Sequence, residues 1–272
     1  MRDGAELYWR HWETRAPRGA IVAVHGIRSH SGWYTLSCAH LASAGYDVVF
    51  PDRRGSGLNR TFRGDLTRWQ VLVDDLREFV ASVRRRLGDL PVHLEAISWG
   101  AKLACATLIL HPDLADSLVL VAPGLAAKVD VSLAVKLETA AALLVNRRKL
   151  FDVPLGDARL FTANPDHIAY IERDALSLRK CTARFLRETR KLDRFVRRRA
   201  GRLRVPILMM LAGRDRIVDN EKVRTLFERF ASRPKELILY PDAEHTLEFE
   251  SDVKPILADM VKWLDERSRP RD

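Results

Sequence analysis

The chain reads as an α/β protein: a mostly parallel central sheet with helices on both faces, interrupted by one helical insertion. Three observations predict this. Short apolar runs recur along the 272 residues and alternate with amphipathic stretches of helical spacing. Most of these runs are apolar at nearly every position, which suits strands covered on both faces. The alternation then fails for about eighty residues between Pro123 and Pro206, where helical periodicity continues without a convincing strand.

In chain order, Glu6 to Glu13 reads as an antiparallel edge strand, and Ala20 to His25 as the first strand of the parallel set. Strands are also expected over Tyr46 to Phe50, Val92 to Ala96, Leu118 to Ala122, Pro206 to Leu211 and Glu236 to Tyr240. Helices fall between them, over about 34–44, 69–87, 99–111, 220–230 and 253–267. Within the insertion, Ser132 is a fitting N-cap for a helix to Asn146 that carries Leu133, Leu137, Ala140 and Leu144 on one side. Further on, Leu178, Cys181, Phe185, Leu192 and Val196 recur at three, four or seven residues, with arginines on the other faces. That spacing predicts one long basic amphipathic helix within 173–204. The expected division is a core of residues 1–123 and 205–272 with a helical insertion of residues 124–204.

With 47% hydrophobic residues the chain is long enough for one large domain carrying an insertion. No apolar run approaches the roughly 20 residues that span a bilayer, and the first residues lack the apolar core of a signal peptide. A cytoplasmic protein is the expectation. Cys38, Cys105 and Cys181 lie far apart and outside any C-x-x-C pair, so reduced thiols are expected and neither a disulfide framework nor a zinc site. The net charge of +10 is concentrated: residues 173–204 hold thirteen Lys or Arg against Asp174, Glu188 and Asp193. This basic segment is either a solvated surface or a site of contact with anionic membrane. Nucleic acid is not expected as a partner, because no recognition motif accompanies the charge and few stacking aromatics interleave with it.

The chemistry is concentrated at strand ends. Val92 to Ala96 runs into Ile97-Ser98-Trp99-Gly100 and then an apolar stretch, so a serine sits in the tight turn from strand to helix. Nucleophile elbows of the form G-x-S-x-G have this arrangement, with small flanking residues that let strand and helix approach. A serine hydroxyl is a poor nucleophile at neutral pH. It needs a base within hydrogen-bond reach and an acid that holds the base in its productive tautomer. Asp215 follows the strand ending at Leu211, and His245 follows the strand ending at Tyr240; Asp219 and Asp242 are rivals for the acid. The order Ser98, Asp215, His245 is that of α/β-hydrolases. The Gly-containing turn at His25-Gly26-Ile27 can offer a backbone N–H beside the serine, so Ile27 and Trp99 are the candidate oxyanion donors. His25 and His30 are expected to order that loop. Asp52-Arg53-Arg54-Gly55-Ser56-Gly57 lacks the spacing of a phosphate-binding loop and reads as a structural turn.

On these residues the chain resembles the α/β-hydrolases of the monoacylglycerol lipase, lysophospholipase and serine aminopeptidase-like group. The likeness is carried by His25-Gly26 with His30-Ser31-Gly32-Trp33-Tyr34, by Asp52 to Gly57, by the elbow at Ser98, by Asp215 after Gly213, and by His245. It departs from that group at Ala96 in place of the first elbow glycine, at Trp99 where methionine is common, and at Ala101 where a second glycine is frequent. The resemblance implies the α/β-hydrolase fold and an insertion that caps an acyl pocket. It also implies a serine ester hydrolase acting without a cofactor on a small-molecule ester or lipid, such as a monoacylglycerol or lysophospholipid. Gly26, His30, Leu137 and Leu144 are expected to border that pocket. The Trp99 indole is expected either to line it or to pack under the cap. A serine peptidase and a catalytically silent ligand receptor or membrane-docked module remain the alternatives.

Overall fold

The structure is a computed structural model that describes residues 1 and 3–268, so the end of the expected core segment, residues 269–272, lies outside it. The chain runs β1 (Trp9–Trp12), β2 (Gly19–Val24), α1 (Thr35–Ser43), β3 (Tyr46–Pro51), α2 (Trp69–Leu87), β4 (Val92–Ile97), α3 (Gly100–Leu110) and β5 (Ser117–Val121). The insertion then holds α4 (Leu133–Val145), β6 (Leu150–Asp152), α5 (Pro165–Arg173), β7 (Lys180–Thr182) and α6 (Ala183–Arg199). After it come β8 (Ile207–Ala212), α7 (Asn220–Glu228), β9 (Lys235–Tyr240) and α8 (Lys254–Arg267).

The main sheet has the order β1-β3-β2-β4-β5-β8-β9. Only β1 is antiparallel, pairing with β3; every other neighbour is parallel. Strands β2, β4, β5 and β8 are buried at every residue, which is why apolar side chains occupy both faces instead of alternating, with His93, Glu95 and Ser117 the polar exceptions. The connection from β2 to β3 moves toward one edge, whereas those from β3 to β4 and β4 to β5 move toward the other. Right-handed crossovers therefore put α1 on one face, where it packs with α8, and α2 with α3 on the opposite face. The direction of travel reverses between β2 and β4, so a crevice opens beyond their carboxyl ends. That crevice is where the loop after β2 and the turn after β4 meet.

The inserted segment differs from the expectation in three respects. It contains two short strands, β6 and β7, paired antiparallel from Leu150↔Thr182 to Asp152↔Lys180, which runs of three residues do not betray by periodicity. The basic helix is shorter than the expected span. Thr182 caps α6, its hydroxyl accepting from the Phe185 N–H at 3.2 Å and donating to Asp65 at 2.9 Å, so Leu178 and Cys181 are buried before the helix begins. Lastly, α4 starts after its Ser132 cap as expected but packs through Ala142, Val135 and Leu143 against Phe151, Ala183 and Leu186. Leu133, Leu137 and Leu144 point outward and are 71%, 64% and 88% exposed. This helix is apolar nearly all round, so spacing alone does not choose its inner face.

Candidate active site

Ser98 leaves β4 in a left-handed conformation, with φ of 51°. The strain is held by the surrounding backbone: the Ser98 N–H donates to the Val121 carbonyl at 2.9 Å, and its carbonyl accepts from Gly124 at 2.8 Å and Ala101 at 3.0 Å. A Cβ at Gly100 would run into the Val24 carbonyl oxygen, so glycine is required where α3 crosses β2. Ala96 makes no such collision. It is fully buried in β4 and register-paired with Val24 and Leu120, so the extra methyl is absorbed in the core.

His245 and Asp215 reach Ser98 from loops at the same edge of the sheet. Gly213 N–H donates to the Tyr240 carbonyl at 2.8 Å and Arg214 N–H to that of Ala243 at 2.9 Å, which ties the loop after β8 to the loop after β9. A side chain at Gly213 would collide with the Pro241 backbone. Held in this way, His245 lies with Nε2 2.9 Å from the Ser98 hydroxyl and Nδ1 2.7 Å from Asp215. The other Asp215 oxygen accepts from the N–H groups of Ile217 and Val218, both at 2.8 Å. An aspartate so engaged accepts from Nδ1–H, which leaves Nε2 as the acceptor facing the serine hydroxyl. Asp215 and His245 are 2% and 3% exposed, so their hydrogen bonds work in a dry setting. The rivals are occupied elsewhere: Asp219 caps α7, and Asp242 pairs with Arg214 at the surface.

The loop after β2 closes the other side. Among the described residues the backbone N–H groups of Ile27 and Trp99 have no hydrogen-bond partner. His25 Nδ1 donates to the Gly26 carbonyl at 2.8 Å and its Nε2 accepts from the Arg53 N–H at 2.9 Å; burial depresses this imidazole to about 3, so it stays neutral. His30 is turned to Asp174 through Nε2 at 3.3 Å, and its Nδ1 accepts from Gly32 N–H, so it does not border the cleft beside Ser98. Leu137 and Leu144 do not border it either, because the inner face of α4 is another one. Gly26 does.

Arg28 and Leu155 at the site carry no signal that sequence reasoning used, whereas Phe161 is among the apolar residues of the insertion from which an acyl substrate is expected. Leu155 and Phe161 of the inserted segment wall a narrow cleft together with Gly26, Ile27, Arg28, Trp33, Ile97, Ser98 and His245. Phe161 stands edge-on to the His245 ring at 5.9 Å, and its carbonyl accepts from Thr246 N–H at 2.9 Å. Arg53 donates to the carbonyls of Gly26 at 2.8 Å and Ile27 at 3.2 Å while lying over the Trp99 ring at 4.5 Å. The Trp99 indole is buried and stacked on Phe185 of α6, so it packs beneath the inserted segment.

The family model of serine aminopeptidase, S33, matches residues 15–252. Phospholipase YtpA of Bacillus subtilis (strain 168) is 29% identical over 82% of this chain and 86% of its own. The monoglyceride lipase of Homo sapiens is 26% identical over 98% and 89%. Among solved structures, the monoacylglycerol lipase of Paleococcus ferrophilus superposes with a TM-score of 0.84 at 24% identity, covering 97% of this chain and 100% of that one.

Proposed function

Since the chain belongs to the serine aminopeptidase, S33 family and is a lipid ester hydrolase of the α/β-hydrolase fold, we propose that it works through a covalent acyl-enzyme on Ser98. The carrying observation is the unbroken hydrogen-bonded chain from Ser98 through His245 to Asp215. His245 Nε2 takes the hydroxyl proton as Ser98 Oγ attacks the ester carbonyl carbon. Asp215 holds the ring and stabilises the imidazolium. The N–H groups of Ile27 and Trp99 receive the negative charge that develops on the carbonyl oxygen. His245 then gives the proton to the departing alkoxide, and a water activated by the same nitrogen releases the acid.

Arg53 supports the oxyanion side of this reaction. The Gly26 carbonyl to which it donates belongs to the same peptide unit as the Ile27 N–H, so the guanidinium both orients that unit and draws electron density away from its N–H. Removing a whole oxyanion donor costs about 10²–10³ in kcat, and misplacing one costs part of that. Arg53→Met is therefore expected to lower kcat for nitrophenyl octanoate by about tenfold or more with little change in KM, and Arg53→Lys to recover part of the loss. A fall in KM-governed binding alone, with kcat intact, would exclude this role.

The apolar wall formed by Ile27, Ile97, Leu155 and Phe161 suits an acyl chain, and a monoacylglycerol or lysophospholipid-like ester is the proposed substrate. The inserted segment acts as the cap of this pocket. Its exposed α6 arginines, Arg187, Arg190, Arg194, Arg197 and Arg198, present a surface that anionic lipid would attract at about 1 kcal/mol per residue. Nitrophenyl esters from acetate to palmitate test the substrate class. Activity should rise to chains of eight carbons or longer, and a fluorophosphonate should label Ser98; label on any other residue would overturn the mechanism.

A further inference from the structure

Arg28 follows the oxyanion-loop residue Ile27, and its side chain is only 2% exposed. Its Nε donates to the Ser177 hydroxyl at 3.2 Å, and its Nη1 donates to the Leu155 carbonyl and, at 3.3 Å, to that of Gly156. The guanidinium lies 5.6 Å from the centre of the Phe161 ring, and Arg28 is one of the residues that border the cleft of Ser98 and His245. Among the described residues it forms no ion pair with a carboxylate, and its Nη2 makes no hydrogen bond. Asp174 attracts it from a distance but is committed to His30 and to the Trp33 indole N–H at 2.8 Å, while Arg179 repels it. Burial disfavours the charged form, but a guanidinium keeps its proton in proteins.

A buried cation balanced only by carbonyls and a hydroxyl is costly to the fold. Two of its nitrogens join the loop after β2 to the inserted segment, and neutral donors would do that as well. A cleft built only for a neutral acyl chain and a neutral alcohol has no use for a fixed positive charge on one of its lining residues. We propose that Arg28 binds an anionic group, a phosphate or a carboxylate, carried by the ester that is cleaved at Ser98. This rests on the hydrolase reading of the cleft and narrows it: the preferred lipid bears a negative charge within reach of the scissile bond. Arg28 is then the residue that separates anionic esters from neutral ones, because only the former compensate its charge without releasing it to water.

Binding to the inactive Ser98→Ala protein tests this without turnover. Titration calorimetry with octyl phosphate, octanoate and octanol compares a phosphate, a carboxylate and a neutral head on one chain length. At least one anion should bind about tenfold or more tighter than octanol, and the better anion identifies the group. Adding Arg28→Gln should remove that preference, whereas adding Arg15→Gln on the exposed surface ahead of β2 should leave it, which separates a local site from the general positive charge. Equal binding of all three ligands, or a preference that survives Arg28→Gln, overturns the proposal. Because Arg28→Gln also loosens the tie to the inserted segment, a crystal structure of the Ser98→Ala protein with octyl phosphate gives a second decision. Phosphate oxygens within about 3.2 Å of the Arg28 guanidinium are expected, and phosphate bound elsewhere sinks the proposal. If the native protein cleaves no ester while the anion preference holds, the hydrolase mechanism fails and the anion site stands.

Discussion

Replacing Ser98 by alanine is expected to lower kcat for ester hydrolysis by about 10⁴- to 10⁶-fold, the range over which loss of an activated serine acts in a triad. The fold should survive, because the hydroxyl makes one hydrogen bond, to His245, and the backbone bonds that hold the φ of 51° stay in place. Asp215→Asn should cost about 10⁴-fold by another route. An asparagine can present its amide N–H to Nδ1, which would turn that nitrogen into the acceptor and put the proton on Nε2, facing the serine hydroxyl it must deprotonate. Steady-state rates with nitrophenyl octanoate, normalised to fluorophosphonate-titratable sites in the parent, give both numbers. A residual rate within a hundredfold of the parent in the Ser98→Ala protein would mean that another group performs the attack.

The second large effect concerns stability. Glu95 lies on β4, three residues before Ser98, and is 4% exposed in a small cavity with Tyr34, Ser37 and Glu248. Burial, reinforced by the charge of Glu248, pushes its carboxyl up to about 8, and one of its oxygens has no partner. Glu248 is raised to about 7 by burial even though it accepts from the N–H groups of Leu36 at 3.0 Å and Ser37 at 3.1 Å. An unfolded chain would release both protons near pH 4.5, whereas the folded one holds them until pH 7 to 8. The folded state binds more protons across that window, so stability falls as pH rises from about 4.5 to 8 and levels off above it. Glu95→Gln removes the larger share of that fall. Its melting temperature should match the parent near pH 5 and exceed it by about 5 °C or more at pH 8.5, since each pKa unit represents about 1.4 kcal/mol. Parallel melting curves at the two pH values would show that Glu95 is not protonated in the fold.

The core was legible because parallel strands buried on both faces are apolar at nearly every position. The boundaries of α2 coincide with the expected span, and every expected core strand lies within one or two residues of an observed one apart from the shorter β1. The Ser98, Asp215 and His245 positions were also legible, because strand ends and glycine-containing turns are local signals. What escaped was set by packing across large sequence separations. Arg28 meets Leu155 from 127 residues away, and Arg53 meets Gly26 from 27. Nothing within a window of the sequence reports such a contact. The inner face of α4 escaped because an apolar surface on every side carries no preferred direction. The start of α6 escaped because Thr182 caps it from a position that the arginine-rich pattern runs straight through.

The inserted segment leaves the sheet after β5 and returns at β8, two strands that are direct neighbours, paired from Leu118↔Ile207 to Val121↔Met210. Because the strands are parallel, the segment leaves at the carboxyl end of β5 and re-enters at the amino end of β8, so its ends are separated by three residues of strand, about 10 Å, as well as by one strand spacing. Lengthening such an excursion adds only slowly to the entropy of closing it. Ser98, Asp215 and His245 all lie outside it, whereas Leu155 and Phe161 lie within. Ser98, Asp215 and His245 thus occupy stretches of one gene separable from the one that supplies Leu155 and Phe161, so these two walls can change in an exchanged or drifting insertion while the three polar residues are left untouched.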